Sequence, residues 1–452
     1  MALTLGTALR LVPRSDRVDA AHGPQNTSVA FVGAGGKTTA MLELARELPP
    51  PCLVTCTTHL GSWQVPPDQI HLMATSSREL VGLGKSKITV VTGPRDHDRL
   101  TAVSPEVLLA LRSTSLARGW PLLIEADGAR RRALKAPRPG EPAVPSFVEM
   151  AVVMAGMSGL NGRLDSEHVH RPELFGEIAG LRQGEVITAE AVSRVLTSRL
   201  GGLAGLPSNA RRVAILNQAD SAELQGLAQG IAASIRTSYD AVLVATAQED
   251  IVHAVFEPTA GIVLAAGGAS RFGRPKQLLD WRGEPLVRAS ARAALEAGLD
   301  PVLVVTGSHF GEVEAAVAGL PVVLARNPDW EQGQSSSIRV GLAACPPPTG
   351  SAVFLLADQP FITPGLIRAL VDAHASESAG IVAPLIREDR RGNPVLFDRE
   401  MFTDLRALEG DSGGRALFGQ HRVRYVDWHD DRILRDIDTE EDYRRLQSED
   451  QS

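Results

Sequence analysis

Twice in this chain a short β-branched run ends in a glycine-rich turn and passes straight into a helix-forming stretch. The first is SVAFVGAGGKTT from Ser28, the second GIVLAAGG from Gly261. Where a strand gives way to a helix through glycines, backbone N–H groups converge at the helix start and can hold phosphate oxygens. Two such junctions predict two nucleotide sites, each on its own sheet.

The rest of the chain supports two sheets. From Ser28 to about Glu257 helical patterns alternate with the apolar runs CLVTCTT, ITVVTG, LLIEADG, MAVVMAG, VAILNQAD and AVLVATA; from Gly261 the rhythm restarts with PVLVVTG, PVVLARN, AVFLLAD and GIVAPLI. Such alternation predicts the α/β class: two doubly wound, mostly parallel sheets, the first P-loop-like and the second of Rossmann type. At 452 residues the chain exceeds what one core serves. The expected organisation is a lead-in over 1–27, domains over 28–257 and 258–446, and a polar tail over 447–452, with no Gly/Ser-rich tether between the halves.

A net charge of −7 argues against nucleic acid or an anionic membrane as the main partner. No apolar run reaches the roughly 18 residues of a membrane span, and the opening MALTLGTALRLVPRS lacks the pattern of a secretory signal. The expectation is a cytoplasmic protein acting on small molecules.

In the second half, LAAGGASRFGRPKQLL puts Gly267 and Gly268 at a strand end, where backbone can approach a triphosphate, and follows them with the cations Arg271 and Lys276. Phosphoryl or nucleotidyl transfer needs this combination, because charge on the transferred group and on departing pyrophosphate must be neutralised. Asp358 closes the strand AVFLLAD, a position suited to holding Mg²⁺ against a phosphate. Asp436 and Asp438, two apart in DIDTEED, face the same way if extended, although Asp438 also reads as an N-cap before YRRL.

These residues, together with NPDWEQGQSSSIRVGL from Asn327, LLADQPFITP from Leu355, RRGNPVLF from Arg390 and GDSGGRAL from Gly410, resemble the MobA-like nucleotidyltransferases, specifically the molybdenum cofactor cytidylyltransferase branch. The resemblance implies transfer of CMP from CTP to the terminal phosphate of Mo-molybdopterin, with pyrophosphate released. It implies that Leu264, Ala265, Ala266, Gly267 and Gly268 line the base and triphosphate pocket, with Arg271 and Lys276 on phosphate, Asp358 and Asp438 on Mg²⁺, and Ser335 and Ser336 against nucleotide. Gly392, Asn393, Asp411 and Arg415 are implied to meet the pterin acceptor. Related guanylyltransferases carry glycine where this chain has Ala266, which favours CTP over GTP. Gln334 stands where the family more often has methionine. Guanylyl transfer, transfer to another small phosphate, and a chaperone that delivers finished cofactor to an apo-hydroxylase are the alternatives.

In the first half VGAGGKTT is a G-x-x-G-K-T loop, shorter than the standard Walker form and close to that of amide ligases. Gly33, Gly35 and Gly36 would give close backbone approach, Lys37 would reach the β- and γ-phosphates of ATP or GTP, and Thr38 would ligand Mg²⁺. Glu125 and Asp127 alternate in LLIEADG like a Walker B pair, with Asp127 the expected metal ligand. Asn217 and Asp220 stand where GTPases read the base, with Gln218 in place of lysine; the same residues also suit a cap on the next helix.

These motifs, with TCTTHL from Thr55 and LDSEHVHRPELF from Leu164, resemble the selenium-dependent hydroxylase accessory proteins (YqeC-like), which implies an association with molybdenum hydroxylase maturation. Cys52 and Cys56 lie about 13 Å apart along a strand, too far to share one Zn²⁺. His168 and His170 beside Glu167 read as surface histidines, and Arg130, Arg131, Arg132 and Lys135 form a basic run that could meet an anion.

Overall fold

The computed structural model describes residues 3–13, 26–84, 87–268, 274–387 and 390–450. The chain divides into two compact units, Met1–Phe256 and Glu257–Ser452. Both are α/β and built on largely parallel sheets.

The main sheet of the first unit holds nine strands in the order Ile251–Phe256, Ala241–Thr246, Arg211–Asn217, Met150–Gly156, Ser28–Gly33, Leu122–Glu125, Cys52–Cys56, Ile88–Thr92, Ile70–Met73. Every pairing is parallel except that of Ile251–Phe256, which turns back along Ala241–Thr246. Ser28–Gly33 is central and apolar on both sides: Val29 and Phe31 pack into one core, Ala30 and Val32 into the other. A strand covered by helices on both faces loses its polar alternation, so the run reads as continuous.

In the second unit Val323–Arg326, Val302–Thr306, Thr259–Ala265 and Ser351–Leu356 are parallel neighbours. The strand Val395–Asp398 then runs antiparallel between Ser351–Leu356 and Ile381–Ile386. It was not expected from the sequence, where the segment reads only as part of RRGNPVLF. Val263 and Ala265 face one core and Ile262 the other, so this sheet too is covered on both faces.

Helix starts follow their local chemistry. Ser104, Ser221 and Thr363 each accept a hydrogen bond from the third residue onward, capping Pro105–Arg118, Ala222–Ile235 and Pro364–Glu377, and two of these helices begin on proline. The helix Pro172–Ala179 was not expected. Among the described residues no helix is long and apolar enough to cross a membrane.

Candidate functional site

In the first unit the glycine-rich loop leaves the carboxyl end of Ser28–Gly33 with Gly33, Gly35 and Gly36 at φ of 92°, 80° and 102°, a region closed to most side chains. Space forbids side chains as well: a Cβ on Gly35 would stand 2.3 Å from the Gly156 backbone. The loop opens the helix Lys37–Glu47 and edges a cavity of about 590 Å³.

The charged groups here are arranged differently from expectation. Asp127 does not stand by Thr38. Its Oδ2 accepts from Lys135 Nζ at 2.6 Å and from the Gly33 N–H at 3.0 Å, and its Oδ1 lies 3.2 Å from Lys37 Nζ. Two ammonium groups hold this buried carboxylate, which was expected to ligand a metal. The acid beside Thr38 is Glu125, which accepts from the Thr38 hydroxyl at 2.6 Å and whose pKa is raised by burial. Gln64 Nε2 donates to the same hydroxyl at 2.7 Å. Lys37 Nζ donates to the Gly33 carbonyl at 2.7 Å, curled over the loop.

Asn217 is a brace, not a free base reader. Its Nδ2 donates to Gly35 O and its Oδ1 accepts from the Ala247 N–H, at 2.7 and 2.8 Å, which occupies both ends of the amide. Asp220 is exposed, and Ser221 takes the capping role before the next helix. Gln218 lines the cavity in their stead. Trp63, Gln64 and Arg99 on its wall were missed by the sequence reading, since they come from the turn Ser62–Gln64 and the strand Arg99–Thr101, both distant from the motif.

His168 pairs with Asp165 at 2.8 Å, and burial, then the neighbouring Arg171, lowers the His170 pKa to about 4. Cys52 and Cys56 are free buried thiols. Among the described residues no group of three His, Cys, Asp or Glu side chains is arranged to hold a metal ion.

In the second unit a cavity of about 510 Å³ opens at the carboxyl ends of Thr259–Ala265 and Ser351–Leu356, lined by Leu264, Ala265, Ala266, Gly267 and Gly268 together with Lys276 and Asp358. Gly267 faces open space, whereas a Cβ on Gly268 would stand 2.7 Å from the Trp330 ring. Gln277 Nε2 donates to Gly267 O at 3.1 Å and pins the turn. Trp330 also lines the cavity; it was quoted in a motif but given no role. Arg271 lies outside the described residues.

Two further carboxylates act on Asp358. Burial first, then Asp436 and Asp438, push the Asp358 pKa up to about 6, with Lys276 opposing. Ile437 is buried and turns Asp436 and Asp438 outward to the same side. Asp436 accepts from Gln359 Nε2 at 2.6 Å and Asp438 from Lys276 Nζ at 2.7 Å. The capping of the last helix falls to Thr439, which exchanges hydrogen bonds with Asp442, so Asp438 is left to the lysine.

Of the serines, Ser337 is on the cavity wall. Ser335 and Ser336 are turned inward: both are buried, and Ser336 Oγ accepts from Asn327 Nδ2 at 2.8 Å while donating to Gly333 O at 2.8 Å. Of the expected acceptor residues Asp411 reaches the cavity, seated by the Gln334 N–H at 3.4 Å. Gly392 packs into the interior against Ile386 and Ile433, Asn393 precedes a cis proline, and Arg415 is exposed on the turn Gly414–Gly419; none of the three lines the cavity.

A doubly wound sheet whose strand ends carry a glycine-rich turn, a lysine and an acid is the architecture of a nucleotidyltransferase. The chain belongs to the MobA-like NTP transferase family through residues 261–425, and residues 29–173 match the YqeC protein family. Nicotine blue oxidoreductase of Paenarthrobacter nicotinovorans is 32% identical over 194 residues, 41% of this chain and 95% of that protein. Purine catabolism protein PucB of Bacillus subtilis is 32% identical over 194 residues, covering 40% and 93%. Uncharacterized protein YqeC of Escherichia coli is 27% identical over 215 residues, covering 46% and 81%. Among solved structures, that of Rv0371c from Mycobacterium tuberculosis is 33% identical with a TM-score of 0.38, covering 42% of this chain and 98% of that one.

Proposed function

We propose that the second unit is a molybdenum cofactor cytidylyltransferase, moving CMP from CTP onto the terminal phosphate of Mo-molybdopterin and releasing pyrophosphate. The observation that carries this reading is the meeting of the Leu264–Gly268 turn, Lys276 and Asp358 at one cavity. The attacking group is a phosphate oxygen, already anionic, so no strong base is needed and the work is charge neutralisation and in-line positioning. The bond to the α-phosphorus forms as the α–β bridge breaks. Backbone N–H groups of the turn and the Lys276 ammonium take up the charge that collects on pyrophosphate.

The donor set suits a divalent cation. Asp358 carries a carboxyl whose ionisation is opposed by Asp436 and Asp438, and a cation relieves that opposition. When bound, Mg²⁺ would polarise the α-phosphate, with water and substrate oxygens completing its shell around Asp358. Ala266 on the wall supports cytosine, since its methyl takes space a larger guanine would use, a difference of about 1–3 kcal/mol.

The first unit on this reading binds ATP or GTP, with Lys37 released to phosphate and Thr38 and Glu125 beside the metal. Its partner would be a molybdenum hydroxylase apo-enzyme receiving the finished dinucleotide. Incubation with Mo-molybdopterin, Mg²⁺ and each NTP, followed by mass identification of the dinucleotide, tests the whole. Pyrophosphate formed only with GTP overturns the base assignment. Reduction of an organic substrate with no pyrophosphate formed would favour an oxidoreductase, the activity named for one relative.

A further inference from the structure

The cavity of the first unit carries more positive charge than one triphosphate requires. Facing the loop across about 590 Å³ are Arg99, Arg130, Arg131 and Arg132, in addition to Lys37, against the single acid Glu125. A bound triphosphate of about four negative charges is met by the loop N–H groups, Lys37 and one divalent cation. That leaves four guanidinium groups without a task.

Their placement is built, not incidental. Arg130 and Arg131 both take left-handed backbone, φ 49° and 60°, which non-glycine residues adopt only where surrounding structure imposes it, and such positions gather at ligand sites. The turn they form follows Leu122–Glu125 and lies against the paired strands His59–Gly61 and Arg99–Thr101: a Cβ on Gly128 would stand 3.5 Å from the His59 ring. Arg99, Arg130 and Lys37 all bear on His59, which, beyond the larger effect of burial, they hold below its usual range. Arg99, Arg130 and Arg132 have no ion-pair partner among the described residues. Arg131 is stacked on Trp63, 4.7 Å from the ring centroid, and Trp63 itself is 55% exposed, a flat apolar face at the rim of the basic wall.

We infer that this cavity holds a second ligand beside the nucleotide: a small molecule bearing a phosphomonoester or equivalent dianion, gripped by Arg99, Arg130 and Arg132, with a planar body resting on Trp63. Guanidinium forks match phosphate oxygens in pairs, and an aromatic face beside them selects a ring-bearing phosphate over the free ion. The inference rests on the nucleotide reading of the loop. It makes the first unit a two-substrate site and not a simple nucleotide switch.

The test uses the full chain carrying Lys276→Ala, which removes the phosphate contact of the other cavity. Phenyl phosphate and inorganic phosphate are titrated with and without saturating Mg²⁺ and a non-hydrolysable ATP or GTP analogue. Phenyl phosphate should bind with the nucleotide present and more tightly than inorganic phosphate. Adding Arg99→Ala, Arg130→Ala and Arg132→Ala should weaken it at least 30-fold, with a change below threefold in nucleotide affinity. Trp63→Ala should erase the advantage over inorganic phosphate. The lysine triple variant, which keeps the charge and loses the forks, should recover part of the binding and shows that the site still folds. Equal loss of nucleotide and phenyl phosphate would mean that the arginines hold the triphosphate, and exclusion of phenyl phosphate by nucleotide would mean one shared site; either overturns the inference. Absence of nucleotide binding in the parent overturns the nucleotide reading instead, and the titration without nucleotide still reports on the arginines.

Discussion

Lys276 Nζ lies 2.7 Å from Asp438 Oδ1, joining two segments 162 residues apart at the mouth of the second cavity. The pair is partly exposed, so its contribution to stability is about 0–1 kcal/mol. Its consequence is orientation. Asp438→Asn should leave the thermal midpoint within a few degrees of the parent while lowering nucleotidyl transfer roughly tenfold, about 1.4 kcal/mol in the barrier. An unchanged rate measured by pyrophosphate release would remove Asp438 from the site.

Asp358 has its pKa raised from 3.8 to about 6, chiefly by burial and then by Asp436. A carboxyl raised on folding contributes stability that is complete below the unfolded value and lost as pH climbs through the folded one. Asp358→Asn should therefore match the parent near pH 4 and, without metal, be more stable at pH 8 by on the order of 1–3 kcal/mol in chemical denaturation.

The same group sets a pH limb on turnover. Because the ionised carboxyl is the cation-holding form, kcat/KM at limiting CTP and Mg²⁺ should rise with pH through about 6. Asp358→Asn should abolish that limb and reduce the rate by about 100- to 1000-fold. A profile flat between pH 5 and 7 in the parent contradicts the assignment.

Lys37→Ala should eliminate nucleotide binding in the first unit and spare cytidylyl transfer within twofold, read by equilibrium binding of ATP and GTP alongside dinucleotide formation. Asp127 keeps Lys135 and the Gly33 N–H in that variant, so its charge is not stranded. Loss of transfer in a folded variant would show that the two sites are coupled.

Asn217→Ala strips a partner from both Gly35 O and the Ala247 N–H. The expected cost is about 1–3 kcal/mol of stability, with ATP and GTP affinity falling together. Asp220→Ala should change neither. A selective loss of GTP in either variant would restore a base-reading role.

The parallel sheets, their order of appearance and the first glycine-rich junction were legible because they rest on local signals: β-branched runs, caps and turns. The second junction differs from expectation, since the short 3-10 turn Lys276–Leu278 and the paired strands Asp280–Trp281 and Glu284–Pro285 precede the helix Leu286–Glu296. Roles that depend on which carboxylate meets which cation were not. Glu125 and Asp127 are equivalent by alternation, and only the approach of Lys135, from a separate two-residue strand, separates them. Ser335, Ser336 and Ser337 are equivalent by composition; Asn327 Nδ2 donates to both Ser336 and Ser337, and of the three only Ser337 is on the cavity wall. Arg99 and Trp63 carry no motif at all.

The amino-acid sequence by itself determined the fold class, the two families and the places where phosphate meets backbone, because strand-to-helix glycine turns are local and periodicity is short-ranged. Tertiary structure alone decided which side chains are spent on one another: Asp127 on two lysines, Asn217 on two backbone groups, Asp438 on Lys276. The physical reason is that buried charge and hydrogen-bonding capacity must be matched by whatever neighbours the fold supplies, and those neighbours come from distant parts of the chain.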